Sequence, residues 1–218
     1  YKIKMMTKKE LFLQRLHGAS KIIFLGPLAH HCSIINHENA LVLAIDGGRI
    51  HHQRLPIDFS VGDGDSYQDD ISQPFELDEK LPIDKDFSDF CFALSLIPAK
   101  FEGEILCYGL WGERADHFLA ILGEVNEKLL TSNLSKISFI HQDLIQLEAY
   151  HQKVKNLTIK GSWSILSLNE QKISLSGSVK FSALDKLFKP LSSLGLSNEM
   201  NGEVCIHAAY PYFLIRAK

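Results

Sequence analysis

Apolar residues follow two textures along this chain. In the first, they form short unbroken runs: Lys21-Ile22-Ile23-Phe24-Leu25-Gly26, Leu41-Val42-Leu43-Ala44-Ile45-Asp46-Gly47-Gly48, Phe59-Ser60-Val61-Gly62, Glu104-Ile105-Leu106-Cys107-Tyr108-Gly109 and Lys136-Ile137-Ser138-Phe139-Ile140. Runs of this length, stopped by glycine or charge, predict strands buried on both faces. Helical spacing fills the intervals, notably Asp86 to Ala99 and Arg114 to Leu130. Thr7-Lys8-Lys9-Glu10 fits a capping box ahead of Leu11, Phe12 and Leu16, and Gly18 ends that helix. Strands alternating with helices predict an α/β domain over residues 1–150, built on a layered, mostly parallel sheet.

The second texture begins near Leu157. Ser162-Trp163-Ser164-Ile165-Leu166-Ser167-Leu168 and Lys172-Ile173-Ser174-Leu175-Ser176 alternate with a period of two, as do Val204 to His207 and Tyr212 to Ile215. Asn169-Glu170 and Tyr210-Pro211 read as hairpin turns. This predicts a small antiparallel, sandwich-like β domain over 151–218. It has too little mass to bury both faces alone, so it should lean on the first domain or on a second copy.

Composition narrows the function classes. The 218 residues are 45% hydrophobic and 22% charged, with a net charge of −3, which argues against a broad basic surface for nucleic acid. No apolar run approaches the roughly 20 residues that span a bilayer. Tyr1 to Met6 carries positive charge without a following apolar segment, so no secretion signal is expected. Cys32, Cys91, Cys107 and Cys205 form no C-x-x-C pair. They read as reduced thiols of a cytoplasmic protein.

The candidate chemistry centres on Val61-Gly62-Asp63-Gly64-Asp65-Ser66. Two carboxylates two residues apart repel, and a divalent cation relieves that repulsion. Oxygen ligands among glycines suit Mg²⁺ with a phosphate substrate. The plainer reading is a solvated acidic turn after a strand. Because several strands end in Gly or Asp-Gly, Asp46, Asp63, Asp65 and the Gly109 loop should converge beyond the carboxyl ends of the sheet. Lys85-Asp86-Phe87-Ser88-Asp89 opens the predicted helix. Asp86 and Asp89 then share a face, either complementing the helix dipole or, for Asp89, joining a metal site. Gly109-Leu110-Trp111-Gly112-Glu113-Arg114-Ala115-Asp116-His117 is a strand end, a glycine loop and a helix start, suited to an anion but also readable as a charged cap. There is no P-loop, dinucleotide fingerprint or G-x-S-x-G elbow, and Tyr67 spoils an EF-hand. His30-His31 and His51-His52 lack a third ligand, so zinc is not expected.

Taken in order, Asp46-Gly47-Gly48, Pro56-Ile57-Asp58, Gly62-Asp63-Gly64-Asp65-Ser66, Asp86-Phe87-Ser88-Asp89, the Gly109 to His117 segment and Ser197-Asn198-Glu199 resemble the motifs of the thiamine pyrophosphokinase family. The resemblance runs from about Lys21 to the end of the chain. It implies transfer of the pyrophosphoryl group of ATP to the hydroxyl of thiamine, giving thiamine diphosphate and AMP. It implies Mg²⁺ on Asp63, Asp65 and Asp89, with Asp46, Gly47 and Gly48 flanking the nucleotide phosphates. Arg114 and Asp116 would line the reaction centre, and Ser197 and Asn198 the thiamine pocket. Ser66, Asp86, Ser88 and His117 fall in the same motifs and would contact ligand. It also implies a homodimer in which each β domain completes the other chain's site. Gly64 stands where the family usually has Phe, Glu113 where it has Gly, and Ser88 where it has Thr. A related diphosphokinase acting on a hydroxymethylpterin shares a similar acidic turn, and a non-catalytic ligand-binding relative is the third reading.

Overall fold

The structure, a computed structural model, describes residues 6–33, 39–53, 55–64, 76–112, 114–151 and 156–216. Among the described residues, twelve strands form one sheet in the order β10-β9-β11-β8-β12-β7-β6-β5-β1-β2-β3-β4. The parallel part holds β1 (Lys21–Leu25), β2 (Ala40–Ile45), β3 (Phe59–Gly62), β4 (Glu79–Lys80), β5 (Glu104–Tyr108) and β6 (Lys136–His141). Their pairings are all parallel. The unbroken apolar runs are explained by cover on both sides. Phe24, Leu43, Ile105 and Phe139 face α1 (Lys8–Leu16), α2 (Asp89–Ser95) and α3 (Ala115–Thr131). Ile23, Val42, Ala44 and Leu106 face the opposite way, against Ala29 and Leu55 of the short turns after β1 and β2. After β1 the chain moves to β2 on one side, and it later returns as β5 on the other. The crevice between the ends of β1 and β5 is therefore a topological switch point.

The antiparallel part holds β7 (Leu144–Tyr150), β8 (Asn156–Leu166), β9 (Gln171–Val179), β10 (Ala183–Phe188), β11 (Asn198–Ala208) and β12 (Tyr212–Arg216). Here the structure corrects the expectation of a separate sandwich-like unit beside a mostly parallel sheet. Gln142 and Asp143 adopt φ of 48° and 62°, the two-residue turn that reverses a strand without splaying it. It sends β7 back along β6, and β12 then bridges β7 and β8. The sheet is thus one mixed structure, and antiparallel pairings are the more numerous. Phe213 of β12 packs into the core under the helices, while Tyr212 beside it packs with Tyr150, Ile165 and Ile206. Hydrogen bonding does not break near residue 150.

The predicted strands β1, β2, β3, β5 and β6 form, as does the Thr7 capping box. The helix expected from Asp86 to Ala99 is shorter. Ser88 caps it, its Oγ accepting from the Cys91 amide at 2.9 Å, so the helix begins at Asp89. Asp86 is exposed before the helix and does not share a helical face with Asp89. No helix among the described residues is long and apolar enough to cross a membrane.

Candidate functional site

The site forms where β1, β2, β3 and β5 all end. Asp46 follows β2 in a left-handed conformation, φ 46°, and is only 8% exposed. It can sit there because Gly62 ends β3 beside it. A Cβ on Gly62 would lie 2.7 Å from the Asp46 Cα. Gly48 has the same logic one turn on, since a side chain there would collide with the Leu25 carbonyl. Asp46 Oδ1 accepts the Gly64 amide at 3.2 Å, tying the acidic turn after β3 to the end of β2. Asp63 leaves β3, and Asp89 begins α2. Asp46, Asp63 and Asp89 each present one carboxylate oxygen, and these oxygens lie within 4.8 Å of one another.

Three carboxylates at that spacing need positive charge. Lys85 supplies it from the bend before α2. Its Nζ donates to Asp63 Oδ2 at 2.6 Å and lies 3.2 Å from Asp89 Oδ1. Its side chain is 8% exposed. Burial alone would lower the Lys85 pKa, but contact with Asp63 and Asp89 outweighs it and the value is raised. Burial pushes the Asp89 carboxyl up; the Lys85 ammonium opposes this, while the charges of Asp63 and Asp46 add to it. Asp89 Oδ1 is buried, and its contact with Lys85 is an ion pair outside hydrogen-bonding geometry. It has no hydrogen-bond partner among the described residues. A cluster of hard oxygens with one such buried oxygen fits Mg²⁺.

The cluster forms one wall of a cleft of about 540 Å³, a size suited to a small-molecule ligand. Pro27 and Leu28 after β1, and Gly109 and Leu110 after β5, bring the switch point into it. Arg114, His117 and Phe118 line it from the start of α3. Arg114 is exposed and holds Asp116 through a 2.6 Å pair. That guanidinium lowers the Asp116 carboxyl to about 2.

The expected residues are therefore divided. Asp46, Asp63 and Asp89 converge, with Asp46 joining the carboxylates directly. Ser88 and His117 reach the cleft. Gly47 and Gly48 are buried in the turn after Asp46, and Asp86 points to solvent. Asp65 and Ser66, like Glu113 and Tyr67, lie outside the described residues. Asn198 opens β11 and is buried, exchanging hydrogen bonds with the backbone of Phe181 at 3.0 and 2.7 Å. Neither it nor Ser197 is part of the cleft wall. Two residues were missed. Lys85 stands in the quoted motif without an assigned role. Glu124 accepts from Ser88 Oγ at 2.8 Å and is pushed up by burial against that bond. An acid beside the apolar stripe Ile121, Leu122 and Val125 is the signal that marked it.

Comparison with known proteins points to one family. Residues 33–138 match the family model described as thiamin pyrophosphokinase, catalytic domain. That segment, just under half of the chain, is similar to the catalytic domain of the thiamin pyrophosphokinase family. Solved structures share the fold at low identity. Thiamin pyrophosphokinase from Geobacillus thermodenitrificans superposes with a TM-score of 0.67 at 17% identity, over 91% of this chain and 98% of its own. The Bacillus subtilis thiamine pyrophosphokinase gives 0.62 at 19%, over 91% and 99%. The Candida albicans thiamin pyrophosphokinase gives 0.65 at 12%, over 94% and 89%. No curated protein matches by sequence.

Proposed function

We propose that this protein is a thiamine diphosphokinase, moving the pyrophosphoryl group of ATP to the hydroxyl of thiamine and releasing AMP. The observation that carries this reading is the meeting of Asp46, Asp63 and Asp89 at the switch-point cleft of a thiamin pyrophosphokinase fold. Asp46, Asp63 and Asp89 would hold Mg²⁺, with Asp65 as the further ligand implied by its motif. When bound, the ion supplies charge neutralisation at the phosphates. Phosphoryl-type transfer needs positioning and charge compensation more than a covalent intermediate. The Arg114 guanidinium, on the α3 wall of the cleft, is available to pair with phosphate in exchange for Asp116. The carboxylates also suit the cationic thiazolium of thiamine.

A homodimer belongs to the same reading. β10 is the outer strand of the sheet. Around it Phe181, Leu184, Leu187, Leu191, Leu194 and Leu196 are exposed. An apolar edge of this kind suits a second copy. The buried Asn198 is bonded to Phe181 at that edge, so the exposed Ser197 beside it would face the partner and there border its cleft.

The test incubates the protein with MgATP and either thiamine or a hydroxymethylpterin, and separates nucleotides by chromatography. AMP formed in step with thiamine diphosphate is expected. AMP formed only with the pterin would make the protein the related diphosphokinase. ADP formed in step with acceptor consumption would overturn pyrophosphoryl transfer, and ligand binding without nucleotide cleavage would leave a non-catalytic relative.

A further inference from the structure

We infer that Lys85 is an internal counter-cation that holds the carboxylate cluster together before a divalent ion arrives, and that the ion must displace it. This rests on the proposed reading of the cluster as the metal site. Three observations lead to it. The Lys85 ammonium lies 2.6 Å from Asp63 and 3.2 Å from Asp89, two of the three carboxylates that converge. Its side chain is only 8% exposed, so water screens its charge less than it would at the surface. Asp89 meets it only as an ion pair, which leaves Asp89 Oδ1 without a hydrogen bond among the described residues.

An ammonium and a divalent ion cannot both lie against the same carboxylate oxygens. A second cation placed a few ångströms from this ammonium is repelled by it, and the repulsion is relieved when the ammonium withdraws. Lys85 is placed to withdraw along the cleft, since it lines the cleft with Asp63 and Asp89, and Arg114 and His117 line it too. Its flexible stem allows this, and its point charge suits a phosphate oxygen. The ion and the phosphates that accompany it would then enter together, with Lys85 leaving carboxylate for phosphate. Metal alone would bind weakly, because nothing would receive the displaced ammonium. Lys85 is thus a positioning residue that couples metal loading to nucleotide loading.

The test measures Mn²⁺ binding by electron paramagnetic resonance, without reference to turnover. In Lys85→Gln the dissociation constant for Mn²⁺ alone should fall at least tenfold. The difference between Mn²⁺ affinity with and without a non-hydrolysable ATP analogue should shrink. Lys85→Arg, which keeps the charge, should retain weak binding of Mn²⁺ alone. Unchanged or weakened binding in Lys85→Gln overturns the inference. A second measurement needs no variant. Acylation of Lys85, followed by mass spectrometry, should rise several-fold when the wild-type protein is saturated with Mn²⁺, as checked by electron paramagnetic resonance, and constant protection at saturation would also overturn it. If Asp89→Asn binds Mn²⁺ as wild type does, the metal reading itself fails. If Asp89→Asn abolishes binding while Lys85→Gln leaves it unchanged, only the role of Lys85 fails.

Discussion

The two ends of the sheet handle polar groups in opposite ways. In β1 to β6 every strand points in one direction, so every carboxyl end reaches the same border. Acids that close separate strands and begin a helix are thereby forced together, and Lys85 is enclosed among them. In β7 to β12 directions alternate, and several polar side chains are satisfied by groups of the same half, although the buried Tyr212 hydroxyl has no hydrogen-bond partner among the described residues. Gln171 is one of the satisfied side chains. Its amide donates to Ser167 Oγ at 2.8 Å and to the Pro211 carbonyl at 3.1 Å, and its oxygen accepts the Tyr210 amide at 2.8 Å. Parallel pairing concentrates charge that asks for a ligand. The antiparallel half ends in an apolar edge that asks for a surface.

If this contrast holds, polar substitutions should affect function in one half and stability in the other. Asp89→Asn should lower AMP formation by about a hundredfold or more, with the fold intact by circular dichroism. Near-wild-type turnover would erase the contrast. Next in size, Leu184→Asp combined with Leu187→Asp should convert a dimer into a monomer by light scattering, because two charges would then lie in the apolar edge. A variant that stays dimeric would move the contact surface elsewhere. Asn198→Ala should cost about 2 kcal/mol in urea denaturation, since the amide and carbonyl of Phe181 lose their partner. Unchanged stability with weakened thiamine binding would return Asn198 to the ligand.

The smallest expected effect on stability is at the exposed pair on α3. Arg114→Gln should raise the Asp116 carboxyl from about 2 toward the ordinary range, as read by NMR titration. The folded value is depressed, so any stability from the pair is present above about pH 4 and lost as pH falls through about 2. Because both groups are exposed, the change in unfolding should be slight.

The parallel strands were legible because burial on both faces leaves an unbroken apolar signature, as in Ile22 to Leu25. The strand β10 was not, because Leu184 and Leu187 are exposed and its burial does not alternate. The union of the two halves depends on β12 pairing with β7 across more than sixty residues of chain, a register that no local pattern encodes. In the site, Asp63 and Asp89 could be nominated from their motifs. The direct approach of Asp46 depends on the absence of a side chain at Gly62, and that is visible only once β2 and β3 are paired. Lys85 was hidden for a related reason: a lysine ahead of an acidic turn ordinarily reads as solvated, and only burial shows what it neutralises.

The splice at β7 and β12 has a mechanical consequence. A rigid rotation of one end of the molecule against the other would shear two consecutive ladders, Lys136 to His141 against Leu144 to Tyr150 and Tyr150 to Leu147 against Tyr212 to Ile215. Enclosure of a reactant therefore cannot use the jaw-like swing available to enzymes whose lobes share only a flexible strap. It must come from side-chain movement and short segments beyond the strand tips, or from another subunit. The sheet is one continuous plank on which the carboxylate cluster is mounted.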